Sequence, residues 1–254
     1  MIKTRVIPCL LLMGEGLYKT RQFDEPVYVG DPLNAVRLFN EMEVHELLFL
    51  DITATARQKK PPFALIQSIS EECYMPLSYG GGIHTMEDAV EVYKSGVEKI
   101  CFGTAVHNNP QLVRELSKAY GSSGVITCMD VRKNRSGDYD CYVQNGKTKT
   151  GKSAVEMAKY MQDLGAGEII VNNIDRDGMM NGYDLELLQM VSENADVNVI
   201  ACGGAGHISD FKKAVEVGKA QAVSAGSLFV FYGKKKAVLI NFPEASEFAE
   251  AAIP

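Results

Sequence analysis

Four aspartates, Asp51, Asp130, Asp175 and Asp177, stand at or just past the ends of short apolar runs. A carboxylate fixed at such a place can take or give a proton to a bound substrate, which is general acid–base work. The run Arg5-Val6-Ile7-Pro8-Cys9-Leu10-Leu11-Leu12 repeats in outline as Gly124-Val125-Ile126-Thr127-Cys128-Met129-Asp130-Val131. Laid over each other, Cys9 matches Cys128 and Leu11 falls where Asp130 falls. If both are barrel strands, positions 11 and 130 face one another across the mouth. Leucine neither accepts nor donates a proton, so the pair is one-sided.

Anion chemistry is suggested beside it. Gly80-Gly81-Gly82-Ile83-His84 parallels Gly203-Gly204-Ala205-Gly206-His207, and Gly103-Thr104 parallels Gly226-Ser227. Glycine lets backbone N–H groups approach an anion, and a hydroxyl adds a donor. Two such cradles predict a phosphorylated ligand with a phosphate at each end, held by Gly82, Thr104, Gly204, Gly226 and Ser227. Asp177 and Gly178 belong to the same rim, although Asp175 and Asp177 could serve only the turn Arg176-Asp177-Gly178. Lys19, in the loop 13–30, could reach over the anion or simply be solvated. At the other end of the strands, Arg5, Glu46, Lys99 and Glu168 each begin an apolar run, two cationic and two anionic. Such a set could plug a barrel's floor, since buried charges need partners.

These side chains must be carried by strands. Runs at 5–11, 46–52, 75–79, 99–103, 124–130, 168–174, 197–202 and 222–225 are near-continuously apolar, as in a parallel sheet covered on both faces. Helices are expected at 33–43, 86–94, 111–119, 154–164, 184–192, 209–217 and 245–252. Asp31-Pro32 starts the first, and its stripe is Ala35, Leu38, Phe39 and Met42. The most economical assembly is a single (β/α)8 barrel with an internal twofold repeat, its half-barrels about 1–121 and 122–254.

Bulk properties set bounds. The 254 residues are 46% hydrophobic and 23% charged, those of an ordinary globular protein. A net charge of -6 argues against a nucleic-acid partner. The six cysteines (Cys9, Cys73, Cys101, Cys128, Cys141, Cys202) lack CxxC spacing and read as reduced core thiols. His45, His84, His107 and His207 lack ligand spacing, so neither metal nor cofactor is expected, though His84 and His207 could help hold an anion. Residues 1–5 lack a signal peptide's apolar region and no run reaches a membrane span, so a cytoplasmic protein is expected.

Arg5-Val-Ile-Pro-Cys-Leu, Phe49-Leu50-Asp51-Ile52-Thr53-Ala54, Gly80-Gly-Gly-Ile, Asp175-Arg-Asp-Gly and Asn181-Gly-Tyr-Asp-Leu-Glu-Leu resemble HisF, the cyclase subunit of imidazole glycerol phosphate synthase. The resemblance spans essentially the whole chain. It implies a barrel that takes ammonia from a HisH-type glutaminase docked on its N-terminal face. Arg5, Glu46, Lys99 and Glu168 match that family's ammonia gate. Its ring closure uses two opposed aspartates; Asp130 matches one, and Leu11 stands at the other. His84, Gly103, Met179 and Gly226 replace the family's arginine, asparagine, threonine and alanine, the last a mild change. Lys19, Gly82, Thr104, Asp177, Gly178, Gly204 and Ser227 match.

The stretches Leu10-Leu11-Leu12, Gly14-Glu15-Gly16-Leu17-Tyr18-Lys19-Thr20 and Tyr28-Val29-Gly30-Asp31-Pro32 resemble one branch, the HisF-like (WbuZ-type) barrels of surface-polysaccharide loci. That resemblance implies ammonia passed to an N-acetyl sugar amidotransferase, with cyclase activity impaired or absent. The competing expectation is an authentic cyclase, with Glu15 or Asp51 replacing the lost carboxylate. A third is a scaffold that activates its glutaminase without conducting anything.

Overall fold

The protein is described from a computed structural model covering residues 4–233 and 235–251. Residues 1–3, read above for a leader, and residue 252, at the end of the expected C-terminal helix, lie outside them.

Eight parallel strands close on themselves: β1 (Arg5–Met13), β2 (Leu47–Asp51), β3 (Leu77–Gly80), β4 (Lys99–Phe102), β5 (Val125–Lys133), β6 (Glu168–Asn173), β7 (Asn198–Cys202) and β8 (Ala222–Ala225). Each pairs in parallel with the next, and β8 returns to β1 with Ala222 beside Arg5. Helices alternate with the strands, which makes a (β/α)8 barrel.

The two-residue period of a strand sorts its side chains into two cores. Along β1, Val6, Leu10 and Leu12 turn outward to pack with Phe39, Phe49 and the helices. Ile7, Cys9 and Leu11 turn inward, where they meet Leu48, Cys101, Ile126, Ile170 and Ile200. Each large aliphatic sealed in either core contributes about 1.5–3 kcal/mol. The strands are apolar on both faces because both faces are buried.

Helix starts are set by local chemistry. Asp31 accepts from Asn34 N at 2.9 Å ahead of the helix Pro32–Glu41. Thr85 and Asp88 form a capping box at Met86–Lys94, and His207 and Asp210 form one at Ile208–Glu216. Asp88 Oδ2 accepts from His84 N and Thr85 N; Asp210 Oδ2 accepts from Gly206 N and His207 N. The capping geometry therefore sets His207 opposite Thr85 rather than opposite His84. The two loops, 81–84 and 203–206, are equal in length.

The main departures from the sequence reading are two hairpins and one helix. Residues 13–30 are not a loop but an antiparallel hairpin, Gly16–Arg21 against Asp24–Gly30, continuing β1. Its counterpart after β5 pairs Tyr139–Val143 with Thr148–Ser153. Both strands overrun their expected ends because they continue into these hairpins. An unexpected helix, Phe63–Glu72, follows Pro61-Pro62; only Ile66 and Ile69 of it are buried, too thin a stripe to show as a period. The remaining ends shift by a few residues.

Candidate functional site

At the C-terminal ends of the strands lies a cavity of about 160 Å³. Of the residues read as functional from sequence, Leu11, Lys19, Thr104, Asp130, Asp177, Gly178, Gly204, Gly226 and Ser227 line it, as do Asp51, Gly103 and Leu50. Gly82 does not. It is buried at φ +72, where an added Cβ would meet Lys59 O at 2.7 Å and Ala54 Cβ at 2.9 Å. It serves close packing beneath the rim. His84 and His207 are both exposed and outside the cavity; the Nδ1 of His207 instead accepts from Ser209 N.

The two hairpins cross the mouth and anchor on opposite halves. Thr20 Oγ1 donates to Asp177 Oδ2 at 3.3 Å, and Gln22 reaches Asp177 O and Asp175 O. From the other side, Asn145 Nδ2 donates to Ile52 O at 2.8 Å and Gln144 N to Thr104 Oγ1 at 3.1 Å. Phe23 and Asn145 thereby enter the cavity wall. Neither was legible as a site residue, because hairpin tips carry no periodic signal.

The aspartates separate into distinct roles. Asp130 lines the cavity, and its Oδ1 accepts from Asn172 Nδ2 at 2.9 Å. Burial raises its carboxyl, the Asn172 bond lowers it, and the charge of Asp177 raises it again, to about 7. An acid poised near neutrality suits proton transfer. Asp51 also faces the cavity, but its Oδ1 accepts from Thr53 N, Thr53 Oγ1 and Ala54 N, holding the turn after β2. Asp175 lies outside, with Arg132 at 3.4 Å. Glu15 is exposed in the first hairpin and is not part of the wall. Leu11 points into the bore, 8% exposed, in the inner core.

Lys19 is not solvated: it is 5% exposed, with its ammonium 3.9 Å from Asp177 Oδ1. Gly226 makes this possible. A Cβ there would lie 2.6 Å from Lys19 Nζ and 2.9 Å from Cys9 O. The exchange of alanine for glycine is therefore less mild than the sequence suggested. Ser227 is 6% exposed, and its Oγ finds no partner among the described residues.

Cys9, Cys101, Cys128 and Cys202 also line the cavity, while Cys73 and Cys141 lie elsewhere; all six are free. The four are wall residues, not part of the outer packing. Burial pushes the Cys128 and Cys101 thiols well up; Cys202 is raised chiefly by its contact with Cys9 and then by burial. Cys101, Cys128 and Cys202 are therefore neutral, weakly polar surfaces. Among the described residues, no group of three or more His, Cys, Asp or Glu could hold a metal ion.

At the opposite end, Arg5, Glu46, Lys99 and Glu168 meet in a closed ring. Arg5 donates to Glu46 Oε2 at 2.8 Å and to Glu168, and Lys99 Nζ lies 3.2 Å from Glu46 and 2.7 Å from Glu168. Ser78 Oγ adds a donor to Glu46 at 3.1 Å. Each charge thus contacts two of opposite sign. Burial pushes Glu168 up, but hydrogen bonds and charges from Arg5 and Lys99 outweigh it and hold it below its usual range.

Fold and site together define a (β/α)8 barrel with a largely apolar chamber, studded with a few polar groups, at its C-terminal mouth and a charge-closed floor. The profile of the family described as "Histidine biosynthesis protein" matches residues 5–236. The chain belongs to this family and, within it, to the HisF type. It is 45% identical over 247 residues to the provisionally named imidazole glycerol phosphate synthase subunit hisF2 of Pseudomonas aeruginosa, covering 97% of this chain and 98% of that one. It is 46% identical over 252 residues to the provisionally named subunit hisF3 of Vibrio vulnificus, covering 99% and 97%. To the imidazole glycerol phosphate synthase subunit HisF of Alkaliphilus metalliredigens it is 39% identical over 229 residues, covering 90% and 91%. Among the described residues no helix is long and apolar enough to cross a membrane.

Proposed function

We propose that this barrel takes ammonia from a HisH-type glutaminase at its charged floor and passes it through the bore to a separate N-acetyl sugar amidotransferase, with little or no cyclase activity. One observation carries the reading: Leu11 stands in the cavity wall with Asp130 while the charge ring at the other end is complete. Loss of one of two acid–base groups commonly costs about 10²–10⁴ in rate. The neutral thiols and aliphatics between floor and mouth suit an uncharged guest. The glycine-and-hydroxyl turns at Thr104 and Ser227, with Gly178 and Gly204, are read as phosphate sites that outlast the cyclisation. The test is a glutamine-dependent cyclisation assay with the matching glutaminase. Absence of product with intact glutamine hydrolysis is expected; turnover like that of a true cyclase rejects the proposal.

A second reading keeps the authentic cyclase of histidine biosynthesis. The relative named HisF at 39% identity favours it, as does Asp51 in the cavity wall, an alternative carboxylate. Growth of a cyclase-deficient strain on this gene alone would establish it.

A further inference from the structure

The inward face of β6 carries Ile170 in the inner core and, two residues on, Asn172 in the cavity wall. Asn172 is 8% exposed. Its Nδ2 donates to Asp130 Oδ1 at 2.9 Å, and because a carboxyl protonated on Oδ2 keeps Oδ1 as an acceptor, this bond fixes the amide's orientation in either charge state. The Oδ1 is thereby left pointing elsewhere, and it finds no partner among the described residues. Gly203 packs close against it: at φ +79, an added Cβ would stand 2.4 Å from Asn172 Oδ1. A buried acceptor without a donor costs about 1–3 kcal/mol unless a guest supplies an N–H or O–H.

From this geometry we infer that Asn172 Oδ1 and the Asp130 carboxylate form a holding site for ammonia and its protonated form, at the mouth end of the bore. The inference rests on the ammonia-conducting reading and deepens it. Both groups offer acceptors, and the wall around them includes Leu11, Leu48, Leu50 and Ile170. A compact guest rich in N–H donors satisfies the two acceptors together. Ammonia is a stronger base than an acid whose carboxyl titrates at about 7. On arrival it takes the Asp130 proton: the O–H bond breaks, an N–H bond forms, and ammonium rests against the carboxylate and Asn172. The reverse transfer returns the proton to Asp130 and frees the nitrogen lone pair for attack. With Leu11 opposite, no second carboxylate competes for that proton.

The test titrates the intact chain alone with ¹⁵N-ammonium chloride, following the Asn172 side-chain amide and the Asp130 carboxyl carbon by NMR. A saturable shift at both is expected, absent with sodium chloride and at least about tenfold weaker with potassium, which has charge but no donors. Asn172→Leu should weaken the binding about tenfold or more. If that variant does not fold, Asp130→Asn must abolish the Asn172 shift. A non-saturating response, equal binding of potassium, or unaltered binding in the variant overturns the site. No glutaminase is present, so the two ideas fail separately. Saturable binding without glutamine-dependent transfer removes the conduit and keeps the site, whereas transfer without binding removes the site and keeps the conduit.

Discussion

The two ends of the barrel treat a buried carboxylate in opposite ways. On the floor, Glu168 is held below its usual range because Arg5 and Lys99 outweigh its burial. At the mouth, Asp130 rises to about 7 because burial finds only one Asn172 bond to offset it. The floor is closed upon itself: every charge of the ring has two partners of opposite sign, and none is left to hold an ion. The mouth is unfinished, with Asn172 Oδ1 and Ser227 Oγ unpaired among the described residues and Leu11 where a carboxylate would complete a pair. Self-satisfied charge makes a plug. Unsatisfied polar groups make a site.

The most forceful way to break this contrast is to make the mouth two-sided. Leu11→Asp places a carboxylate across the cavity from Asp130. If the missing acid–base group is the main defect, cyclisation supplied with free ammonia rises by about 10²-fold or more. A rate that does not move assigns the loss to the thinned phosphate anchorage at Gly103 and Met179 instead. The substitution also buries a charge in the inner core, so a lower urea midpoint is expected alongside.

Opening the floor comes next. Glu46→Ala leaves Arg5 and Lys99 sharing Glu168 alone, and breaking a buried pair costs about 3–5 kcal/mol. Arg5 and Lys99 are partly exposed, so about 2–3 kcal/mol is expected from urea unfolding at neutral pH. The sign with pH follows from Glu168. A carboxyl held below its unfolded value contributes stability above about pH 4, which is lost as pH falls through the folded value. Both the wild type and Glu46→Ala should therefore lose stability as pH falls below about 4.

Asp130 runs the other way. Its folded carboxyl titrates at about 7, above the usual carboxylate value, so the folded state holds the extra proton between about pH 4 and pH 7. Stability is fully present below that window and falls as pH rises through it. Asp130→Asn removes the penalty: it should unfold at higher urea than wild type at pH 8, by on the order of 2 kcal/mol, and show no advantage at pH 4. Because Asp130 faces an open cavity, this figure is discounted from the full shift. Equal midpoints at pH 8 would mean that solvent reaches the carboxylate freely.

How much of this contrast could be read from sequence depends on the kind of interaction. The eight strands and the charge ring were legible because burial on both faces writes apolar runs, and a strand's first residue stands where the run begins. Arg5, Lys99 and Glu168 open their strands in the structure, and Glu46 immediately precedes β2. Leu11 against Asp130 was legible through the internal repeat. The hairpins were not, since strands Gly16–Arg21 and Asp24–Gly30 bury the polar Lys19 and Thr20 and expose the apolar Val27 and Tyr28, which leaves no apolar period to read. Asn172 went unseen as a site residue because its role lies in one bond to a neighbouring strand and one acceptor left open. Neither leaves a mark in composition or spacing.

The smallest effect sharpens the comparison at the mouth itself. Gly226 has φ -113, which alanine adopts without strain, so Gly226→Ala tests space alone. The new methyl would lie 2.6 Å from Lys19 Nζ and 2.9 Å from Cys9 O. The ammonium is the far end of a flexible side chain and gives way, whereas the carbonyl sits in β1 and yields only a few tenths of an ångström. The cost to stability is about 1 kcal/mol. The consequence for the site is larger than that number, because Lys19 loses its buried seat near Asp177 and turns toward solvent. Reductive methylation then distinguishes the states: Lys19 should be slow to react in the wild type and as fast as a surface lysine in Gly226→Ala. Equal rates would show that the glycine does not seat the lysine. Retained protection would then come from the hairpin's own anchors, Thr20 and Gln22 on the Asp175–Asp177 turn.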